Sequence, residues 1–171
     1  VDIDVDGRPI KAVAQITKQA WVYVFDRETG EPVWPIEELP VPQSDVSVEK
    51  TSPTQPHPTK PAPFDRQGFS ESDLIDFTPE LRAQALELVQ NYRMGPIFTP
   101  PSLVGGPDGT RGTLMLPNAM GGGNWEGGAV DPETGMLYVG SYTTPTALGL
   151  RVPNPERSDL NFWSGGRSPR L

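Results

Sequence analysis

Apolar and polar residues alternate from the first position: VDIDV, then Asp6-Gly7, then PIKAVAQI. Alternation on both flanks of an Asp-Gly pair predicts a β-hairpin, because a period of two lays one face of each strand on a core and Asp-Gly adopts the tight turn that twisted strands need. WVYVFD follows, rich in Val and aromatic residues that favour a pleated surface. RETGEPVW then turns on Thr29-Gly30 and returns through Val33 and Trp34, so residues 1–34 read as strands. The pattern breaks over residues 35–63, which hold eight prolines. Such a segment is neither a central strand nor a helix interior, and it predicts an extended, polyproline-like excursion lying over a surface.

Residues 70–94 change period. Ser70 with Asp73 three residues on resembles a capping box, and Thr78-Pro79-Glu80 is a second helix start, with a cap, a proline in the first turn and an acid at the positive helix end. PELRAQALELVQNYR then carries Leu81, Ala85, Leu88 and Tyr92 on one face, and Gly95-Pro96 stops it. The helix is expected to dock on the strands flanking it; a partner-binding face is the alternative. Residues 35–96 therefore form a Pro-rich and helical insertion. Residues 97–142 return to strands at RGTLMLP, GGAVD and MLYVGSY, with Pro132–Gly135 as a turn and the Gly-rich GGGNWEGG ahead of it. Residues 143–171 show no usable period and read as a loop region, truncated at its end.

Composition narrows the chemistry. With 14 Lys and Arg against 22 Asp and Glu, the 171-residue chain has a formal net charge of −8 and lacks the basic footprint of a nucleic-acid or anionic-lipid binder. It has no cysteine and one histidine, which excludes disulfides, thiolate catalysis and Cys- or His-rich metal sites in this chain. No apolar run approaches the ~18 residues that span a bilayer. The chain opens directly on strand alternation, without Met or a leader, and is expected to be a piece of a longer protein. Asp26 and Asp131 read as turn residues, His57 between two prolines as a solvated loop residue, and Glu37, Glu38, Glu71 and Asp73 as surface charge.

The sequence D-x-E-T-G occurs twice, at Asp26–Gly30 and Asp131–Gly135, each time leading into a strand. A strand, an Asp-initiated turn with Gly at positive φ, and a return strand form a small antiparallel unit, and repeated units of this kind suggest a propeller or solenoid. Two to three blades cannot close a ring, and their outer strands would leave unpaired edges.

T-K-Q, the VFDRETG turn, S-P-T-Q-P, F-T-P-P-S and N-W-E-G-G-A-V-D-P-E-T-G occur in this order. Taken together they resemble the pyrroloquinoline quinone (PQQ) dependent dehydrogenases, most closely the membrane glucose dehydrogenase branch, over residues 1–150 and less clearly to 171. The resemblance implies an all-β fold, here about two to three blades of an eight-bladed β-propeller. It implies PQQ near the propeller axis beside Ca²⁺, or Mg²⁺ in some members. An aspartate base would act while hydride passes from a sugar or alcohol to the quinone. Electrons would pass to ubiquinone or a cytochrome, in the periplasm, with any membrane association through parts outside this chain.

Carried over by motif, Lys18 of T-K-Q matches the family lysine that hydrogen-bonds the quinone oxygens, a catalytic and cofactor-binding role. An ammonium there would stabilise the oxygen charge that grows on reduction. Asn124, before Trp125, matches the asparagine of the alcohol branch; in the glucose branch the asparagine lies slightly earlier, which makes Asn118 the competitor. Trp125 is a cofactor contact or, alternatively, core or blade-to-blade packing. Trp34 matches the blade-docking tryptophan. The catalytic aspartate and the metal ligands would precede Val1, so this chain holds part of a cofactor site, no metal ligand, and is expected to be inactive alone. The competing reading is a non-catalytic PQQ-repeat propeller that serves as a protein-binding scaffold.

Overall fold

A computed structural model describes residues 1–47 and 49–165. Strands β1 (Asp2–Val5), β2 (Arg8–Ile16) and β3 (Val22–Asp26) form an antiparallel meander in that order. The first hairpin closes at the Asp-Gly pair as expected: Val5 faces Arg8, and the Asp4 carboxylate accepts from the Gly7 N–H at 2.8 Å. Ala12, Val22 and Val24 form the buried face of this sheet, with Ile3, Ile10, Ile16 and Trp34 packed on it.

The proline-rich segment is more ordered than its composition suggests. Strands β4 (Ile36–Pro40) and β5 (Thr54–Pro58) pair as an antiparallel ribbon, a correction to the polyproline-like excursion. The physical reason is register. Thr59 N–H donates to the Pro35 carbonyl and Val41 N–H to the Pro53 carbonyl, which puts the hydrogen-bonded pairs at odd-numbered positions. Pro40, Pro56 and Pro58 occupy the intervening pairs, opposite Thr54, Glu38 and Ile36, where no N–H is required.

A short 3-10 turn (Glu71–Asp73) carries the expected Ser70–Asp73 capping box. Helix α1 (Pro79–Val89) starts at Thr78, whose hydroxyl accepts from Leu81 N–H. The helix is shorter than 70–94 and its inward face is displaced. Ala85 and Val89 are buried, while Leu88, expected inside, is 48% exposed. The face is set by what it meets: Ala85 and Val89 join Phe69, Leu74, Leu114 and Leu116 in a core cluster, with Leu86 and Tyr92 alongside. The helix thus docks on its own chain.

Strands β6 (Ser102–Leu103), β7 (Thr113–Met115), β10 (Thr146–Arg151) and β11 (Trp163–Gly165) form a second sheet with β10 at its centre. This corrects the reading of 143–171 as loop; residues 166–171 lie outside the described residues. TALGLR shows no alternation, yet β10 pairs with three strands: β7 and β11 antiparallel, β6 parallel. Strands β8 (Gly128–Val130) and β9 (Leu137–Val139) form a hairpin on the second D-x-E-T-G turn. Leu137 rests against the β1–β3 core, and Gly128 lies so close to Ile16 that an added Cβ would stand 2.5 Å from its Cδ1.

The two repeated turns share one hydrogen-bond pattern. Gly30 N–H donates to the Asp26 carbonyl at 2.8 Å and Gly135 N–H to the Asp131 carbonyl at 2.9 Å. Each Asp carboxylate accepts the N–H two residues on, from Glu28 at 2.8 Å and Glu133 at 2.9 Å. Both aspartates therefore serve turn geometry, as expected.

Candidate functional site: the Lys18 turn and the glycine-rich loop

Between β2 and β3 the chain makes a tight turn, Thr17–Trp21, in which Ala20 adopts φ 69°. Each carbonyl of the turn's first four residues is taken. Thr17 accepts from Ala20 N–H, Lys18 from Gly122 N–H at 2.9 Å, Gln19 from the Gln67 side-chain amide at 2.7 Å, and Ala20 from Phe64 N–H at 2.9 Å. The backbone beneath Lys18 is therefore held from two separate parts of the chain, the glycine-rich loop and the segment Phe64–Gln67. Its side chain is exposed, and among the described residues its ammonium takes no ion pair or hydrogen bond.

The glycine-rich loop packs directly on this turn. A Cβ on Gly121, which has φ +100°, would stand 2.6 Å from Lys18 Cγ and 2.8 Å from its Cα. A Cβ on Gly123 would meet Ile16 and the Phe64 ring at 2.8 and 3.1 Å. Gly121 thus answers to the Lys18 turn, a close approach of two backbones that a side chain would prevent, and Gly123 to the Ile16 and Phe64 side chains beside it.

Lys18 and Asn118 border one cavity of about 250 Å³, with Gln19, Phe98, Thr99 and Pro117 among its walls. Phe98 has φ 68°, a strained conformation for an aromatic residue. The Asn118 amide donates to the Thr144 carbonyl at 3.0 Å and its oxygen accepts from Met120 N–H at 2.7 Å, which leaves one amide hydrogen and one lone pair uncommitted. Asn124 lies elsewhere: its amide donates to the Met120 carbonyl at 2.9 Å, and it borders a different hollow, beside Gln15, Gly127 and Leu137. Trp125, expected as a cofactor contact or as core or blade-to-blade packing, is 96% exposed. The structure brings together Lys18 and Asn118, and leaves Asn124 as a turn amide.

A larger cleft, about 840 Å³, contains none of these residues. Its cation is already satisfied, since Arg93 donates to both oxygens of Asp45 at 3.0 and 2.6 Å and reaches Asp108 at 3.4 Å. Bonding to Arg93 holds the Asp45 carboxyl below its usual range. The cavity beside Lys18 has the free charge, so the chemistry points there.

Sequence reasoning missed three features. Gln67, inside the proline-rich insertion, reaches the Lys18 turn. Asp65 accepts from the hydroxyls of Ser141 and Thr143, the latter at 2.6 Å, and so fixes the segment that holds Asn118. His57 is not a solvated loop residue: its ring lies 4.7 Å from that of Trp21 and 5.8 Å from that of Phe98, and its Nε2 is buried without a partner among the described residues. The Ser, Thr and Asp spacing gave no local signal for these contacts.

Desolvation pushes the Asp65 carboxyl up, but the Ser141 and Thr143 hydroxyls, the Arg66 N–H and the Arg66 charge outweigh it, and the net shift is downward. A carboxylate whose folded pKa is depressed contributes stability above its unfolded pKa and loses it as pH falls through the folded value. Acidification below about 3.8 should therefore weaken the Asp65 clamp. Unfolding temperatures of the full-length protein at pH 5 and pH 3 should fall further for wild type than for Asp65→Asn; an equal fall would remove Asp65 from the linkage.

Among the described residues no group of three or more His, Cys, Asp or Glu side chains could hold a metal ion, and no helix is long and apolar enough to cross a membrane. The donor set at the cavity is an ammonium, amides and an aromatic wall, which suits a planar anionic quinone. The cavity is below the ~300 Å³ usual for a complete small-molecule site.

The family described as "PQQ: Glucose/ethanol/alcohol dehydrogenase, beta-propeller domain" matches residues 1–166. The chain is 30% identical over 161 residues to a quinate/shikimate dehydrogenase (quinone) of Acinetobacter baylyi, covering 94% of this chain and 19% of that protein. It is 32% identical over 160 residues to the quinoprotein glucose dehydrogenase of Escherichia coli, covering 90% of this chain and 18% of that protein. With a quinoprotein glucose dehydrogenase of Gluconobacter oxydans it is 31% identical, covering 88% of this chain and 18% of the relative. The chain thus spans about a fifth of the length of these relatives. No solved structure matches it. Few-stranded sheets, a repeated Asp-initiated turn and this family match agree on one conclusion: the chain belongs to the β-propeller domain family of the PQQ-dependent glucose, ethanol and alcohol dehydrogenases.

Proposed function

We propose that the chain supplies part of the PQQ site of a dehydrogenase that oxidises a sugar of the glucose type or an alcohol. The observation that carries this reading is the uncommitted ammonium of Lys18 on the same cavity as the half-used amide of Asn118. Bound PQQ supplies an electrophilic quinone that accepts hydride. Lys18 would donate hydrogen bonds to quinone oxygens and stabilise the negative charge that reduction places there, an electrostatic contribution fixed before the reaction begins. Asn118 would orient the cofactor through its remaining N–H, in preference to Asn124, which borders a different hollow from Lys18. Phe98 offers an apolar face that excludes water.

The proton-accepting aspartate and the ligands of a Ca²⁺ or Mg²⁺ ion would come from outside this chain. Delivery of electrons to ubiquinone or a cytochrome, and a periplasmic location with membrane attachment elsewhere in the protein, complete the proposal.

The test is titration of the purified, cofactor-free full-length protein with PQQ and Ca²⁺, followed by dye reduction with glucose or an alcohol. Saturable binding with substrate-dependent reduction is expected from the full-length protein, and none from residues 1–171 alone. A full-length protein that binds no PQQ would instead be a propeller scaffold.

A further inference from the structure

Residues 64–68, FDRQG, lie in the insertion, far in sequence from both walls of the cavity, yet they contact both. Phe64 N–H donates to Ala20 at 2.9 Å and the Gln67 amide to Gln19 at 2.7 Å, on the Lys18 side. Gly68 N–H donates to Leu116 at 2.7 Å, two residues before Asn118. Asp65 holds Ser141 and Thr143, next to the Thr144 carbonyl that Asn118 grips. Five consecutive residues thus link the lysine wall to the asparagine wall.

Resting on the cofactor reading above, we propose that this segment is a brace that sets the separation of Lys18 and Asn118, and that Gln67 is a positioning residue acting through Lys18. Gln67 satisfies the carbonyl of the residue directly after Lys18, which is half of the turn's attachment to the insertion. The turn has its own closing bonds, Ala20 N–H to Thr17 at 3.1 Å and Thr17 N–H to Trp21 at 3.0 Å, so it survives without Gln67. What it loses is a fixed orientation of the Gln19–Ala20 peptide, one residue beyond Lys18, and with it the aim of the ammonium.

The experiment is a double-mutant cycle in the full-length protein, read as PQQ affinity by equilibrium titration with Ca²⁺ present, alongside unfolding temperature. Gln67→Met keeps the stem and removes the donor; Gln67→Asn keeps the donor but shortens its reach. Each should weaken PQQ binding by up to about tenfold, the size of one neutral hydrogen bond, with the unfolding temperature nearly unchanged. In a Lys18→Met background neither should weaken it further, because the two residues then act as one unit. Additive losses, or wild-type affinity in both Gln67 variants, would overturn the inference while leaving the cofactor reading intact. Absence of PQQ binding by the wild type would overturn the cofactor reading and the inference with it.

Discussion

Lys18→Ala in the full-length protein is expected to lower kcat by about 10²–10³-fold, the usual loss when one preorganised donor to developing oxygen charge is removed. The side chain is exposed and its ammonium pairs with no described residue, so global stability should change by less than about 0.5 kcal/mol. Lys18→Met sharpens the test. It retains the Cβ and Cγ that lie against Gly121 and discards only the charge. Equal loss in the Ala and Met variants assigns the effect to the ammonium; recovery of activity in Met would assign it to packing. Steady-state kinetics with saturating PQQ, together with thermal unfolding, provides both readouts. Wild-type turnover in both variants would remove Lys18 from the site.

Gly121→Ala should produce the largest loss of stability among single-methyl additions to this loop. Two costs combine. The backbone sits at φ +100°, where a side chain is strained by roughly 1–2 kcal/mol, and the new methyl would stand 2.6–2.8 Å from Lys18 Cγ, Cβ and Cα, an overpacking of roughly 1–3 kcal/mol. Because Cα cannot withdraw, the loop or the Lys18 turn must shift, and PQQ affinity should fall with stability. Gly127→Ala is the control: φ is +61° but nothing lies within 4 Å of the added methyl, so only the conformational part, roughly 1 kcal/mol, is expected. Similar unfolding midpoints for the two variants in the full-length protein would show that the close approach to Lys18 carries no weight.

The local chemistry of the chain was legible without coordinates wherever neighbours in sequence are neighbours in space. The Asp-Gly hairpin, the capped helix start at Thr78 and the paired D-x-E-T-G turns depend on bonds spanning a few residues. The proline-rich ribbon was not legible, because proline count reports the missing donors and not whether they fall in the pairs that need them. Strand β10 was not legible either: TALGLR shows no alternation, and its pairing with β6, β7 and β11 is made with segments distant in sequence or without a period of their own.

The same division runs through the site. The sequence by itself determined the family resemblance, the all-β class, the acidic surface and the candidates Lys18, Asn118, Asn124 and Trp125. Only the tertiary structure decided which of them meet. Gly121 is glycine because the loop that contains it lies against the Lys18 turn, a contact between segments whose separation along the chain leaves no local pattern. Asn118 shares the lysine's cavity while Asn124 borders a different hollow, and FDRQG ties the two walls together. Local propensity fixes which turns and strands can form; the distance between an ammonium and an amide is fixed by long-range packing, which no short window of sequence records.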